Sequence, residues 1–303
     1  MNKLTKDLIL KKLPIALSAI SLVALLGLTG CTANPAETPS GSPVSPSEAS
    51  VAPSDAGAVD VNSDASYGDV HAYKLVTDKA GTYAATTIND DAEAMQYDAA
   101  AVDPAATELL SQEKILSAQQ AVVKFVAEET LDSPALESTA NWETWKTEVA
   151  PTVIYPTEVS AIIGSGVDET YDRSSVIENN NQEETPAMIR DGKPRSSETL
   201  IDVTKVITGV DTSPAQSGTY VTVSGTAKAK YRVTDAVAID YFKKYTPDAN
   251  DEQMKADNPT LFDGQDGNWA LTTQWTYTVV EKDSKWLLGS YTRGWTERQL
   301  NFS

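Results

Sequence analysis

Residues 218–233 alternate between apolar and polar side chains, and this pattern constrains the fold more than any other stretch of the chain. One set of alternate positions is small or apolar: Val221, Val223, Gly225, Ala227, Ala229, Tyr231 and Val233. The intervening positions are mostly polar: Tyr220, Thr222, Ser224, Thr226, Lys228, Lys230 and Arg232. Because successive side chains of a β-strand point to opposite faces, the pattern predicts a long strand with one buried face and one solvated face.

The C-terminal region repeats the alternation. Residues 269–281 place five side chains on one face: Leu271, Thr273, Trp275, Tyr277 and Val279. A polar turn at residues 282–285 separates them from residues 286–295, which predicts a long antiparallel hairpin. Residues 200–210 predict another strand, and residues 168–197 a polar loop with a short strand near 187–190. Residues 237–245 fit either a strand or a helical turn, and residues 247–258 fit a polar segment with a short helix.

Helices are predicted in the middle of the chain. Asp103-Pro104 has the pattern of an N-cap followed by proline at the first helical position. From there to about Leu131 apolar residues recur at helical spacing and predict one helix. Its apolar stripe contains Leu109, Ile115, Leu116, Val122, Val123 and Val126. Further helices are predicted over residues 141–149, ending before Pro151, and over residues 157–163.

A β-hairpin is predicted upstream of these helices, from residues 70–77 and 82–88 with a turn at 78–81. His71 is the only histidine and lies in the first of these strands. No neighbouring His or Cys could share a metal with it, so we expect it to be a surface or edge residue.

Helices followed by long antiparallel strands indicate the α+β class. The order of elements, closed by the tryptophan-rich hairpin, resembles that of NTF2-like (SnoaL-like) domains over about residues 104–298. The resemblance implies N-terminal helices packed on a strongly curved antiparallel sheet, a cone that often encloses a pocket. An unrelated α+β fold or a β-sandwich is the alternative. We expect residues 67–303 to form one domain, with 67–103 as an extension of a 104–303 core.

All six tryptophans lie beyond residue 140: Trp142, Trp145, Trp269, Trp275, Trp286 and Trp295. Aromatic side chains on a half-buried sheet usually fill a core. In a cone-shaped fold some of them would instead line an apolar pocket or form an interaction surface. The six side chains are therefore candidates for pocket or interface residues.

The beginning of the chain has the layout of a secretory signal. Four lysines within the first twelve residues precede residues 13–28, which contain no charged side chain. A basic segment followed by such an apolar run is typical of a signal peptide, and the run is shorter than the ~20 residues of a membrane-spanning helix. It ends at Leu28-Thr29-Gly30-Cys31. This tetrapeptide resembles the lipobox of bacterial lipoproteins.

The lipobox resemblance implies a defined processing of the precursor. Cys31 Sγ would receive a diacylglyceryl group, and the chain would be cut between Gly30 and Cys31. The acylated Cys31 would then hold the protein to the lipid bilayer at the extracytoplasmic face of the cell membrane. Stable anchoring takes at least two acyl chains, which this modification supplies. An uncleaved membrane helix with an incidental cysteine is the alternative.

Residues 31–66 are predicted to be a disordered tether between the lipid anchor and the domain. Between residues 32 and 66 there are five Pro, eight Ser and seven Ala, and no aromatic residue. Such a composition cannot bury enough apolar surface to offset the entropy of ordering. The sequence thus divides into a signal peptide at 1–30, a tether at 31–66 and a domain at 67–303.

Charge and motif content exclude several functions. Residues 31–303 carry 20 basic and 42 acidic side chains, an excess that repels nucleic acid. Cys31 is the only cysteine, so its lipidation leaves no thiol for a disulfide or a nucleophile. Ser111-Gln112-Glu113-Lys114 matches one penicillin-binding motif, but the partner motifs Ser-Asp-Asn and Lys-Thr-Gly are missing. Residues 263–268 lack the spacing of a calcium loop. No cofactor, metal or catalytic residue is predicted.

Three functions remain open from the sequence. The first is a non-catalytic module of the cell envelope that binds a partner protein, a wall component or a small apolar ligand. The second is a small hydrolase or isomerase that uses carboxylates in the cone. The third is a transporter's solute-binding lipoprotein, which would need two lobes of alternating strands and helices. A deep pocket holding a buried Asp or Glu with a shifted pKa would favour the enzyme, and an exposed aromatic patch would favour the binding module.

Overall fold

The computed structural model describes residues 65–78, 81–133, 139–159, 187–211 and 218–302. All of these residues belong to one compact unit, Asp55–Ser303. Their structure combines antiparallel sheets with a few helices, in agreement with the predicted α+β class. The signal peptide, the lipobox with Cys31 and nearly all of the tether lie outside the described residues.

A two-stranded antiparallel hairpin comes first, as predicted. Strand β1 spans Val70–Asp78 and strand β2 spans Gly81–Ile88, paired from Val70 opposite Ile88 to Asp78 opposite Gly81. His71 is half-buried, and its Nδ1 lies 2.6 Å from Oδ1 of Asn89. His71 therefore helps to fasten the end of the hairpin to the segment that follows β2.

The helix predicted from Pro104 to Leu131 is interrupted, so this prediction was wrong in detail. Helix α1 spans only Ala106–Leu109, and α2 spans Gln112–Phe125 and continues as a π-helix over Val126–Leu131. The break is at Leu110, whose backbone is extended (φ −133°, ψ 149°). Ser111 restarts the helix, because its hydroxyl accepts a hydrogen bond from the backbone N–H of Lys114 at 3.4 Å.

The break also changes the predicted apolar stripe. Leu109 is exposed, whereas Ile115, Val122, Val123 and Val126 are buried. The Ser111-x-x-Lys114 spacing is explained by the cap together with a surface ion pair, since Lys114 Nζ lies 2.7 Å from Glu281 Oε2.

The second predicted helix does not end before Pro151. Helix α3 spans Thr139–Thr144, a π-helix spans Trp145–Val149, and α4 spans Ala150–Val153. Pro151 is the second residue of α4, and proline is tolerated in the first turn of an α-helix. Of the third predicted helix, over residues 157–163, most lies outside the described residues.

A four-stranded antiparallel sheet is the larger of the two sheets that the described residues form. Its strands follow chain order, β3 (Ser196–Asp211), β4 (Gly218–Val233), β5 (Gly267–Lys282) and β6 (Lys285–Asn301). The alternation predicted for β4 and β5 is confirmed, since the predicted inner face of each strand is buried. The short strand predicted near residues 187–190 is reduced to one bridge between Met188 and Val233.

The predicted β5–β6 hairpin is confirmed and is longer than expected. Its turn residues Asp283 and Ser284 have φ values of 51° and 63°. Left-handed backbone at both central positions is typical of the two-residue turns whose twist matches that of paired strands. Pairing continues from Lys282 opposite Lys285 to Asn268 opposite Asn301.

Two helices connect β4 to β5. Helix α5 spans Asp235–Tyr245, so the segment that fitted either a strand or a helical turn is helical, and α6 spans Asp251–Asp257 as predicted. Thr234 caps α5 by accepting from the N–H of Val237, and Asn250 caps α6 by accepting from the N–H of Gln253.

The buried side chains form two clusters. In the first, residues of α2 and the π-helix pack with β4, β5 and the first hairpin, and Phe125 meets Tyr277 edge-on with ring centroids 5.5 Å apart. In the second, α5 and α6 pack with the other ends of β4, β5 and β6 around Tyr231, Trp269 and Phe302. The first cluster surrounds the candidate site.

Candidate functional site

The structure separates the six candidate tryptophans. Trp142 and Trp145 are buried and stacked, with centroids 5.3 Å apart and planes 11° apart. Trp275 is buried in the first cluster and Trp269 in the second. Trp286 is partly buried, whereas Trp295 belongs to β6 with a side chain outside the described part of the structure. Of the tryptophans whose side chains the structure describes, Trp286 lines the first and Trp145 the second of the two cavities described below.

The first cavity, here called the apolar cleft, has a volume of about 210 Å³. It lies among α2, the first π-helix, α4 and the β5–β6 hairpin, and most of its walls are aliphatic or aromatic. Its lining residues are Ala121, Val122, Lys124, Phe125, Glu128, Glu129, Val153, Tyr277, Val279, Trp286 and Leu288.

A second cavity, here called the polar cleft, has a volume of about 420 Å³. It lies between the β1–β2 hairpin and the two π-helices. Its lining residues are Tyr73, Lys74, Leu75, Val76, Thr77, Ala85, Thr86, Glu128, Glu129, Asp132, Thr144, Trp145 and Val149. Glu128 and Glu129 line both cavities, so these two carboxyl groups form their common wall.

Glu129 is held by hydrogen bonds from two other segments of the chain. The indole Nε1 of Trp145 donates to its Oε2 at 2.6 Å, and the hydroxyl of Ser133 donates to the same oxygen at 3.3 Å. No hydrogen bond or ion pair to Oε1 is found among the described residues. The hydrogen bonds to Glu129 from these residues therefore all reach one carboxyl oxygen.

Glu128 is held differently. Its Oε1 accepts a short hydrogen bond from the hydroxyl of Thr87, and Lys124 Nζ lies 3.8 Å away. The side chain of Lys124 is mostly exposed, so this ion pair lies at the mouth of the apolar cleft and is weak.

Burial raises the pKa of the Glu129 carboxyl from 4.5 to about 7. This value already includes smaller effects: the neighbouring Glu128 raises the pKa, whereas the hydrogen bonds from Trp145 and Ser133 and the charge of Lys74 lower it. Glu129 therefore exchanges its proton close to neutral pH, where a group can both accept and donate one.

The two π-helices place these groups. Glu128 and Glu129 lie on the first and Trp145 is the first residue of the second. A π-helix adds a residue to a helical turn and changes the direction of the side chains that follow, and such segments are frequent at functional sites. The first π-helix is fastened to the sheet, because the hydroxyl of Tyr277 lies 2.8 Å from Thr130 Oγ1 and that of Tyr231 donates to the carbonyl of Leu131 at 2.9 Å.

A buried ion pair closes the inner end of the polar cleft. The guanidinium of Arg195 contacts Asp132 Oδ1 through Nε at 2.8 Å and Nη2 at 2.7 Å. Asp132 Oδ2 accepts from the backbone N–H and the hydroxyl of Thr86, and Arg195 lies over the ring of Tyr83. Both carboxylate oxygens of Asp132 are used in this way, so its role is to hold the hairpin against the end of the π-helix.

The sequence contains a signal for Glu129 that was not used. Glu129 follows Phe125 by four residues and Val122 by seven, and both spacings keep a helical residue on one face. An acidic side chain on the buried stripe of a helix is uncommon. That spacing could have identified Glu129 as a site residue, whereas its contact with Trp145 and Ser133 could not be read from the sequence.

The described part of the chain contains no group of three or more His, Cys, Asp or Glu side chains arranged to hold a metal ion. Within the same residues, no helix has the length and apolar character needed to cross a membrane. No protein-family model, no curated protein and no solved structure matches this chain.

Proposed function

We propose that the protein is a lipid-anchored lipoprotein of the cell envelope whose extracytoplasmic domain binds a small, largely apolar ligand. The observation that carries the binding function is the apolar cleft, a cavity of about 210 Å³ walled by aliphatic and aromatic side chains and open to two carboxyl groups. Concave sites of mainly apolar lining with a few polar groups are typical of small-molecule binding.

The NTF2-like cone belongs to this proposal. Two features support it: Phe125 of α2 contacts Tyr277 of the sheet, and the cleft lies between the helices and the β5–β6 hairpin. In such a cone the ligand would be enclosed between the helices and the concave face of the sheet.

The anchoring part of the proposal rests on Leu28-Thr29-Gly30-Cys31 and the apolar run before it. It is tested by replacing Cys31 with Ser and measuring the mass and the membrane retention of the protein in a bacterial host. We expect the variant to keep the precursor mass and to lose the diacylglyceryl group. A Ser40→Ala variant in the predicted tether is the matched control. Identical mass and retention of the Cys31 variant and the unchanged protein would refute the lipid anchor.

The binding part is tested with benzene, a neutral probe small enough for the cleft. We expect benzene to shift the NMR signals of the methyl groups that line the cleft, those of Val122, Val153, Val279 and Leu288. A Val153→Trp variant, which fills the cleft, should lose the shifts. A Leu200→Phe variant at an exposed position should keep them. Shifts that persist in the filled variant would show that benzene binds elsewhere.

A second candidate function is a carboxylate-dependent hydrolase or isomerase. Glu129 favours it, because a carboxyl group with a pKa of about 7 in a cavity suits general acid–base catalysis. The two functions are separated by incubating the protein with small molecules extracted from its native envelope and following them by mass spectrometry. A compound consumed by the unchanged protein and left intact by Glu129→Gln indicates catalysis. A compound retained without change indicates binding.

A further inference from the structure

We propose that the ligand of the apolar cleft is a small organic cation, an ammonium group carried on an apolar body, whose charge rests against Glu128 and Glu129. This inference deepens the proposed binding function and rests on it. Three features of the site carry it: the composition of the walls, the arrangement of charge around the two carboxyl groups, and the contacts that hold Glu129.

The walls of the cleft suit an apolar cation. Three aromatic side chains line it, Phe125, Tyr277 and Trp286, beside several aliphatic ones. The faces of aromatic rings attract cations, and ammonium ligands are bound in proteins by such aromatic walls. The aliphatic residues add a surface for the apolar body of the ligand.

The negative charge of the two carboxyl groups is only loosely balanced by the residues around them. Of the two carboxyl groups, Glu128 has one ion-pair partner, Lys124, at 3.8 Å, and Lys124 lies at the exposed mouth of the cleft. No salt bridge to Glu129 is found in the described part of the chain. A ligand with a positive charge would supply the counter-ion that Glu129 does not have from these residues.

Only one oxygen of the Glu129 carboxyl group, Oε2, accepts hydrogen bonds from the residues that the structure describes. Trp145 and Ser133 both donate to Oε2, which fixes the plane of the carboxyl group. Oε1 receives no hydrogen bond from the residues that the structure describes. The hydrogen bonds thus hold the Glu129 carboxylate in the wall that the two clefts share. They do not cancel its negative charge, because neither donor is charged.

Binding of a cation is coupled to the loss of the Glu129 proton. Titratable and charged side chains from four elements line the two clefts around Glu129: β1, α2, the first π-helix with the residue after it, and β5. These side chains are Tyr73, Lys74, Lys124, Glu128, Asp132 and Tyr277. Glu128 opposes ionisation of Glu129, and Lys74 favours it. Asp132 is neutralised by Arg195. A permanently charged ligand therefore binds more tightly when Glu129 is ionised.

The test uses phenyltrimethylammonium, whose charge does not change with pH, and tert-butylbenzene, its neutral carbon isostere. Affinities are measured by NMR titration of the cleft methyl groups at pH 6 and at pH 8. With a pKa of about 7, the ionised fraction of Glu129 rises about tenfold across this range, and the affinity for the ammonium probe should rise by up to the same factor. The affinity for tert-butylbenzene should not rise.

A Glu129→Gln variant should bind phenyltrimethylammonium at least about tenfold more weakly at pH 8 and lose the pH dependence. Glu148→Gln, at an exposed position on the second π-helix, is the matched control and should behave as the unchanged protein. If only tert-butylbenzene binds, or if it binds as tightly as the ammonium probe, the cation is refuted and the apolar-ligand function survives. If neither probe binds, both proposals fail.

Discussion

The indole N–H of Trp145 donates a hydrogen bond of 2.6 Å to Oε2 of Glu129, so that the two π-helices meet at one carboxyl group. Trp145 in turn stacks on Trp142 in the core. The position of Glu129 in the wall of both clefts is therefore set by packed aromatic rings on a neighbouring segment. Four predictions follow from this contact and from the packing around it.

Glu129→Gln should remove a pH dependence of stability. The pKa of Glu129 is about 7 in the folded protein, compared with an ordinary value of 4.5 that applies to the unfolded chain. Between these two values the folded state keeps a proton that the unfolded chain releases. The free energy of unfolding therefore falls as pH rises from about 4.5 to about 7, by about 3 kcal/mol in total at most. Above about pH 7 it no longer changes with the ionisation of Glu129. Urea denaturation at pH 4.5 and pH 8 measures this change.

The Gln variant should be close to the unchanged protein at pH 4.5 and more stable than it at pH 8. Glu148→Gln removes a carboxylate from an exposed position and is the control. If Glu129→Gln shows the same fall in stability between the two pH values as the unchanged protein, Glu129 is not the titrating group.

Trp145→Phe should loosen Glu129 while keeping an aromatic ring in the stack. Loss of the N–H donor leaves a buried carboxyl oxygen without its closest partner, at a cost of about 1–3 kcal/mol in the free energy of unfolding. Because this hydrogen bond lowers the pKa of Glu129, its loss should raise that pKa. The pH window over which the free energy of unfolding falls should then end above about pH 7. Trp142→Phe, which changes the same stack without touching this bond, should leave the window in place.

Asp132→Ala should be far more damaging than the loss of an exposed ion pair. It leaves the guanidinium of Arg195 buried without its carboxylate, and the side chains of this pair are only 1% and 8% exposed. Removing one partner of a buried pair costs about 3–5 kcal/mol. Glu198→Ala, which breaks the exposed pair with Lys230, should cost less than about 1 kcal/mol. Similar midpoints for the two variants in urea would contradict the structural role of Asp132.

Gly225→Ala should disturb the centre of the sheet. A methyl group at this position would overlap the carbonyl oxygen of Asp202 and the ring of Trp275, and a backbone oxygen in a paired strand cannot move aside. We expect a loss of about 1–3 kcal/mol or more and a change in tryptophan fluorescence. Gly294→Ala in β6 meets nothing within 4 Å, so its thermal unfolding midpoint should stay close to that of the unchanged protein.

The strands could be predicted from the sequence because each of their residues carries the same signal. In β4 every second residue from Val221 to Val233 is buried. The alternation extends over the whole strand, so a single residue that departs from it does not change the prediction. The turn at Asp283 and Ser284 could also be predicted from adjacent residues, because four polar residues separate the two predicted strands.

The helix boundaries could not be predicted as well, because the sequence offers more than one cap. Asp103 and Ser111 both have side chains that can cap a helix. The Asp103 carboxylate accepts from the N–H of Ala105 in a turn, and Ser111 caps α2. The extended backbone at Leu110 ends α1, and the Ser111 cap then begins α2.

The contacts that build the site could not be predicted from the sequence, although the helical spacing of Glu129 could have marked that residue. Trp145 was a candidate on composition alone, and the pairing of its N–H with Glu129 depends on how two π-helices are placed by the tertiary structure. The apolar cleft likewise needs Val153 from α4 and Leu288 from β6 to close its walls. Spacing along the chain carries no information about such contacts.

The hydrogen bond between Thr130 and Tyr277 joins residues that are 147 positions apart. The π-helix with Glu129 belongs to the first half of the chain, whereas Tyr277, Trp286 and Leu288 belong to its last strands. A chain that emerges from its N-terminus has no cleft until β5 and β6 have paired. Because contacts between distant residues form slowly, we expect ligand binding to be acquired in a late step of folding, when the C-terminal hairpin packs against the π-helix.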